Sequence, residues 1–330
     1  MAALATTGSM LQKVVFETPR SSNRQPRNVS CGAGKIDSHL HVWASKEEAD
    51  DFPFARSTSW DGYVGPPMPG NVEILLKEME SADVDGAMIV HSSKHGFDHS
   101  YVTNVLHRYP QKFIGCLLAN PAESGIGVSA MEALVKEDGY SCVRFNPYIW
   151  PEGQQMTNKV GRALYSKAGE LGVPVGFMAF KGLLLHIEEI ETLIKEFPNT
   201  RVIIDHFGFC KCSDPDSESW KRLIALAQFP QVYVKVSAFF RVSEMEYPYL
   251  DARVCLRRLV DAFGAQRLMW GSDFPWITQQ CGYVKSWEIL QAGDEATGEK
   301  LLTDQETEWI FGKTIQTIFT KGWQGHIQTS

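Results

Sequence analysis

Eight short apolar runs, rich in β-branched residues, recur along the chain at 35–41, 86–91, 113–118, 142–145, 174–180, 201–205, 232–236 and 267–270. Most lack the polar alternation of a strand with one wet face, so they read as strands covered on both faces, the condition of a parallel sheet. Stretches with helical spacing lie between them, at 71–82, 100–109, 160–171, 186–197, 217–228 and 250–263. Several end at Gly or Pro, as in Leu171-Gly172-Val173-Pro174 and Phe197-Pro198, the residues that stop helices. Strand and helix alternating eight times specify an α/β fold, and the count favours a closed (β/α)8 TIM barrel over an open doubly wound sheet. Such a barrel takes about 250 residues, so 330 residues accommodate one barrel over 35–330 behind a leader at 1–34. The segment 42–70, rich in Pro, Gly and aromatics, is a long insertion after the first strand, and in a barrel it lies over the mouth.

Composition narrows the class of partner. With 44% hydrophobic and 22% charged residues the chain can bury a large core. A net charge of -7 and the lack of a basic patch argue against nucleic acid, whose phosphates need a cationic face. No apolar run approaches the roughly 20 residues of a membrane helix, which leaves a small molecule as the expected partner, with a homo-oligomer compatible. Seven cysteines, an odd number with Cys210 and Cys212 one residue apart, suit a reduced compartment better than a disulfide framework. The first 35 residues hold five basic residues and one acidic one, with frequent Ala, Ser and Thr and no long apolar core. Two readings fit that leader: a chloroplast transit peptide, or a disordered leader on a cytoplasmic protein.

The strongest chemical signal is Asp37-Ser38-His39-Leu40-His41. On a regular strand, residues two apart share a face, so Asp37, His39 and His41 are expected to point the same way. Two imidazoles at one strand end form a natural half of a metal site. Ile203-Ile204-Asp205-His206 ends the sixth run in another histidine, and Trp270-Gly271-Ser272-Asp273 places a carboxylate just past the eighth. In barrels the reacting groups come from the C-terminal ends of several strands, and buried ionisable groups are costly unless used or paired.

These motifs resemble the amidohydrolase-related family often called amidohydrolase 2. The likeness rests on D-S-H-L-H at the start, I-I-D-H-F-G through Gly208, Val234-Lys235-Val236-Ser237, and W-G-S-D-F-P closing at Pro275, and it spans roughly 36–319. Phe97-Asp98, Ser100-Tyr101 and Val143-Arg144-Phe145-Asn146 look most like its lactonase branch. The resemblance implies that His39, His41 and Asp273 bind a divalent metal, zinc or manganese, or act directly on the substrate carbonyl. It also implies that Asp273 takes a proton from water, that His206 orients or polarises the substrate, and that Arg144 holds a carboxylate or carbonyl, for which a planar guanidinium is suited. Trp43, Trp276 and Ser237 are candidate pocket residues. Many members carry a further histidine on strand five; here the run reads Val175-Gly176-Phe177-Met178-Ala179-Phe180. That gap favours hydrolysis of a lactone or other cyclic ester over metal-dependent decarboxylation of a small carboxylic acid, and it leaves a non-catalytic binding barrel as a third reading. No nucleotide cofactor is implied, because Gly125-Ile126-Gly127 lacks the third glycine of a dinucleotide loop. His91, His95 and His99 cluster after the second run, where a loop at the mouth is expected.

Overall fold

The structure, a computed structural model, describes residues 34–55, 65–122, 124–291 and 300–320. The leader expected at 1–34 lies almost wholly outside these residues, as does the centre of the 42–70 insertion. Among the described residues, no helix is long and apolar enough to cross a membrane.

Eight parallel strands run in sequence order: β1 (Ile36–Leu40), β2 (Gly86–Val90), β3 (Phe113–Leu118), β4 (Tyr140–Phe145), β5 (Val175–Phe177), β6 (Val202–Ile204), β7 (Val232–Ser237) and β8 (Leu268–Gly271). Each pairs with the next. The two edges meet beyond β8, where the Asp273 N–H donates to the His39 carbonyl at 2.8 Å and the His41 N–H to the Phe274 carbonyl at 2.7 Å. The fold is a (β/α)8 TIM barrel, and all eight strands fall where the apolar runs place them.

Helices follow the strands and pack outside them: α1 (Val72–Ala82), α2 (Ser100–Arg108), α3 (Ile126–Glu137), α4 (Lys159–Leu171), α5 (Ile187–Glu196) and α6 (Glu218–Ala225), then the short α7 (Phe239–Val242) and the long α8 (Leu250–Phe263). Their buried positions repeat every three or four residues, as in Val72, Leu75, Met79 and Ala82 of α1, the stripe an amphipathic helix turns to a core. The helix α3 has no counterpart among the expected ones. Its first turn contains Gly125 at φ 75° and Gly127, where a side chain would collide with the Asn120 carbonyl. Gly127 is therefore a packing device at the helix start, and Gly125 supplies the left-handed cap before it.

The barrel interior is filled by Ile36, Met88, Val90, Ile114, Cys116, Cys142, Ile203 and Met269, against which Ile315, Ile318 and Phe319 pack. Arg201, just before β6, donates to the Ile318 carbonyl at 3.5 Å, so the C-terminal segment plugs the end where the strands begin. The opposite end carries the polar groups described next.

Candidate active site

In β1 the expected alternation fails. Ile36 and Asp37 align with Gly86 and Ala87, but Leu40 aligns with Ile89, so β1 carries one extra residue between Asp37 and Leu40. A bulge of this kind flips side chains to the other face. Asp37 is turned away from the histidines: its oxygens accept from the N–H of His39 and of Ser272, both at 3.0 Å, and from the Tyr283 hydroxyl at 2.9 Å. Burial pushes its carboxyl up to about 6 against those hydrogen bonds. Asp37 thus ties β1 to the turn after β8, a structural role in place of the expected position beside the imidazoles.

His39, His41, His206 and Asp273 do converge, all at or just beyond the C-terminal ends of β1, β6 and β8. The His39 ring centroid lies 4.2 Å from that of His206 and 5.1 Å from that of His41. Asp273 Oδ1 is 3.5 Å from His41 Nε2 and 3.9 Å from His206 Nε2. His206 sits at φ 47° and Asp273 at φ 63°, with Phe207 and Ala238 also at positive φ nearby. Left-handed backbone at non-glycine residues costs on the order of 1–3 kcal/mol each, so strain is concentrated where these strands deliver their side chains.

The hydrogen bonds fix how each ring presents itself. His41 Nδ1 is 2.7 Å from the Val90 carbonyl, which can only accept, so Nδ1 carries the hydrogen and Nε2 presents a lone pair towards Asp273. Burial, with Arg144 adding, pushes the His41 imidazole down to about 3, so it is neutral at ordinary pH. Burial also holds His39 and His206 well below 6.5, with Lys235 and Arg144 adding for His39, and the His39 ring adding for His206. His39 Nε2 is buried and has no hydrogen-bond partner among the described residues. Burial raises Asp273 above 3.8, and the Arg241 guanidinium opposes that rise from 2.6 Å.

Behind the imidazoles lies a buried ionic network. Asp205 Oδ1 is 3.2 Å from both His39 Nδ1 and Lys235 Nζ, and its Oδ2 accepts from Arg144 Nε at 3.1 Å. Lys235 Nζ is also 3.1 Å from His39 Nδ1. Burial raises the Asp205 carboxyl, and Lys235, Arg144 and His206 outweigh it, so the net shift is below 3.8.

These groups open on a cavity of about 270 Å³ lined by His41, His206, Asp273, Arg144, Arg241 and Trp276 among others. Met178, the residue directly after β5, lines this cavity, and the strand itself, Val175–Phe177, carries no histidine. Ser237 does not reach the cavity: its hydroxyl is 2.7 Å from His206 Nδ1 and positions that ring. Trp43 is likewise a buttress, donating from Nε1 to the Met68 carbonyl at 2.8 Å and packing on Trp276 at 6.0 Å. His95 and His99 are packing residues: His95 Nε2 accepts from the Ala44 N–H at 3.3 Å and His99 Nε2 from the Leu118 N–H at 3.1 Å. His91 stacks on His99 at 3.9 Å and borders the cavity.

The three-donor group the geometry brings together is His39, His206 and Asp273, whose ligating atoms lie within 4.8 Å of one another. The expected set of His39, His41 and Asp273 thus shares two members with it, and His206 stands where His41 was expected. Sequence reasoning also missed Arg241. It follows β7 by four residues within Phe239-Phe240-Arg241, near a strand end like His206 and Asp273, and a charge directly after two aromatics there was the available signal.

The model of the amidohydrolase family matches residues 36–320. The chain is 26% identical over 251 residues to the 4-sulfomuconolactone hydrolase of Hydrogenophaga intermedia, covering 73% of this chain and 75% of that one. It is 27% identical over 138 residues to the L-fucono-1,5-lactonase of Burkholderia ambifaria, covering 41% of this chain and 47% of that one. Among solved structures, a protein of Acinetobacter baumannii described as a probable 2-pyrone-4,6-dicarboxylic acid hydrolase, with citric acid bound, superposes with a TM-score of 0.69. That match is 17% identical and covers 87% of this chain and 99% of the other, a likeness of fold. Because the family model matches from Ile36 in β1 through residue 320, nearly all of the described barrel, the chain belongs to the amidohydrolase family.

Proposed function

We propose that this chain hydrolyses a lactone or related cyclic ester that carries an anionic group. The observation that carries the reading is the meeting of one buried carboxylate, Asp273, with the neutral imidazoles of His41 and His206 in a cavity whose other charges, among the described residues, are cationic, with His39 buried behind them. Arg144, Arg241 and Lys94 border it, and among the described residues Asp273 is its one acid, on a chain of net charge -7. Each arginine spends its Nε on a carboxylate, Arg144 on Asp205 and Arg241 on Asp273. Their terminal nitrogens are left for a substrate anion or carbonyl. The named activities of the two curated relatives agree with this chemistry.

His41 Nε2 and Asp273 Oδ1 are two acceptors 3.5 Å apart, a spacing that suits a water donating one hydrogen to each. Asp273 takes a proton from that water as its oxygen adds to the carbonyl carbon. The resulting oxyanion is held by an N–H of His206 or of Arg144, because His41 commits its N–H to the Val90 carbonyl. Collapse breaks the acyl C–O bond, and Asp273 returns the proton to the departing ring oxygen, giving a hydroxy acid. General-base catalysis contributes about 10² to 10⁴ and oxyanion stabilisation a similar factor, enough for an activated ester.

A divalent metal fits the same residues. His39 Nε2, buried and unpartnered, together with His206 and Asp273 makes a two-imidazole, one-carboxylate donor set of the kind that zinc or manganese accepts. A bound ion would supply a more acidic water. With Met178 after β5, no fourth protein ligand comes from that strand. This weakens the decarboxylase reading, in which the ion must hold the substrate carboxylate firmly.

The test is a screen of carboxylated sugar and pyrone lactones with and without a chelator. Asp273→Asn should lower kcat on any substrate found by at least about 10² with the thermal unfolding profile retained. Undiminished turnover would remove Asp273 from the mechanism.

A further inference from the structure

We infer that the substrate extends past the reacting cavity into an outer chamber that receives an aromatic ring bearing an anionic group. This deepens the hydrolytic reading and rests on it for the identity of the inner cavity. A second cavity of about 390 Å³ adjoins the first, and Phe180, Phe209, Arg241 and Trp276 line both. Beyond that shared neck the chamber is completed by Lys211, Phe240, Gln279 and Gln280.

Three features define the occupant. The first is aromatic surface: Phe180 is 40% exposed and meets Phe209 edge-on at 5.5 Å, while Phe209, Phe240 and Trp276 are half-buried. Phe209 is held at φ 53°, so strained backbone keeps this ring at the neck when relaxation would be favourable. Exposed rings grouped in a concave site gain burial from a planar ligand.

The second is charge. Among the described residues, Lys211 and Arg241 are the ionisable groups of the chamber and no carboxylate lines it. Arg241 is fixed by Asp273 at 2.6 Å and by the Phe240, Trp276 and Phe180 rings at 5.0, 5.5 and 5.8 Å. Lys211 Nζ lies 3.4 Å from the Arg241 carbonyl, so both cations face the same space. The third is size. An inner cavity of about 270 Å³ accommodates a monocyclic lactone by itself, which leaves the outer chamber for a substituent.

The experiment compares two lactones with the same reacting ring, a carboxylated γ-butyrolactone and its 4-sulfophenyl derivative. An unreactive 4-sulfophenyl tetrahydrofuran serves as binding probe in calorimetry. The wild-type chain should bind the probe and favour the sulfophenyl lactone in kcat/KM by about tenfold, the worth of one partly desolvated charged hydrogen bond. Lys211→Glu, at an exposed position, should weaken probe binding by at least that factor and collapse the preference ratio. Probe binding that is absent, or indifferent to Lys211→Glu, overturns the inference, and hydrolysis of both lactones alongside that result keeps the hydrolytic reading. Lys211-dependent probe binding with neither lactone hydrolysed supports the outer chamber and counts against lactone hydrolysis.

Discussion

Asp205 is the residue on which the charges of the site balance. It faces Lys235, Arg144 and His39 within 3.2 Å at 1% exposure. Removing one partner of a buried ion pair costs about 3–5 kcal/mol, because the partner left behind stays charged and desolvated. Asp205→Asn keeps the shape and removes the charge, so we expect a loss of stability of that order in urea unfolding, with His39 losing its orientation. A loss below about 1 kcal/mol would mean that the network is not charged in the folded state. His99 offers a second test at this scale. Burial pushes its imidazole down to about 4 from 6.5, against the Phe97 carbonyl and Asp98. The unfolded chain therefore binds a proton before the folded one does, and His99 costs stability progressively as pH falls from 6.5 to 4. The full difference is about 3 kcal/mol. Relative to wild type, His99→Gln should lose less stability between pH 7 and pH 4.5; equal losses in the two proteins would show that His99 is not held neutral.

At the scale of elements, the site depends on how closely β8 approaches β1 and β7. A side chain on Gly271 would meet His39 N and Cβ at 2.9 Å and Ser237 Cβ at 3.2 Å, and those neighbours hold two of the three imidazoles. Gly271→Ala forces strands apart at this contact, at a cost of about 1–3 kcal/mol. Because His39 and the Ser237–His206 pair must move, kcat should fall more than the stability loss explains. A variant with wild-type kcat would show that the strand contact does not set the site. Legibility from sequence followed the same division. Strand positions were readable because buried parallel strands are apolar along their length. His39, His41, His206 and Asp273 were readable because ionisable residues at strand ends break that pattern. The direction of Asp37 was hidden, since the bulge in β1 leaves no trace in composition, and α3 was hidden by one glycine that caps its start and a second that marks a close approach. Ser237 and Trp43 look like pocket residues in the sequence because it gives a residue's strand and not its hydrogen-bond partner, which is His206 for Ser237 and the Met68 carbonyl for Trp43. Arg241 escaped because α7 follows β7 so closely that its guanidinium returns to a carboxylate 32 positions later.

At the scale of the whole molecule, an acidic protein encloses a cationic cavity, and the metal question turns on which donors that cavity presents. Three ligating atoms from β1, the turn after β6 and the turn after β8 lie within 4.8 Å. An ion bound there would bridge segments far apart in sequence and bind only the folded chain. Ligand that binds only the folded state stabilises by RT ln(1 + [L]/Kd), about 2.7 kcal/mol at a hundredfold excess over Kd, which raises Tm by several degrees in a domain of this size. Zinc or manganese titration followed by thermal unfolding should show that rise. His206→Ala should abolish it, whereas His41→Ala should keep most of it, because His41 directs its Nε2 at Asp273 from outside the three-donor group. Loss of the shift in His41→Ala with retention in His206→Ala would restore the ligand set expected from the β1 motif. A Tm indifferent to either ion would leave the imidazoles as hydrogen-bonding groups, with Asp273 acting on water alone.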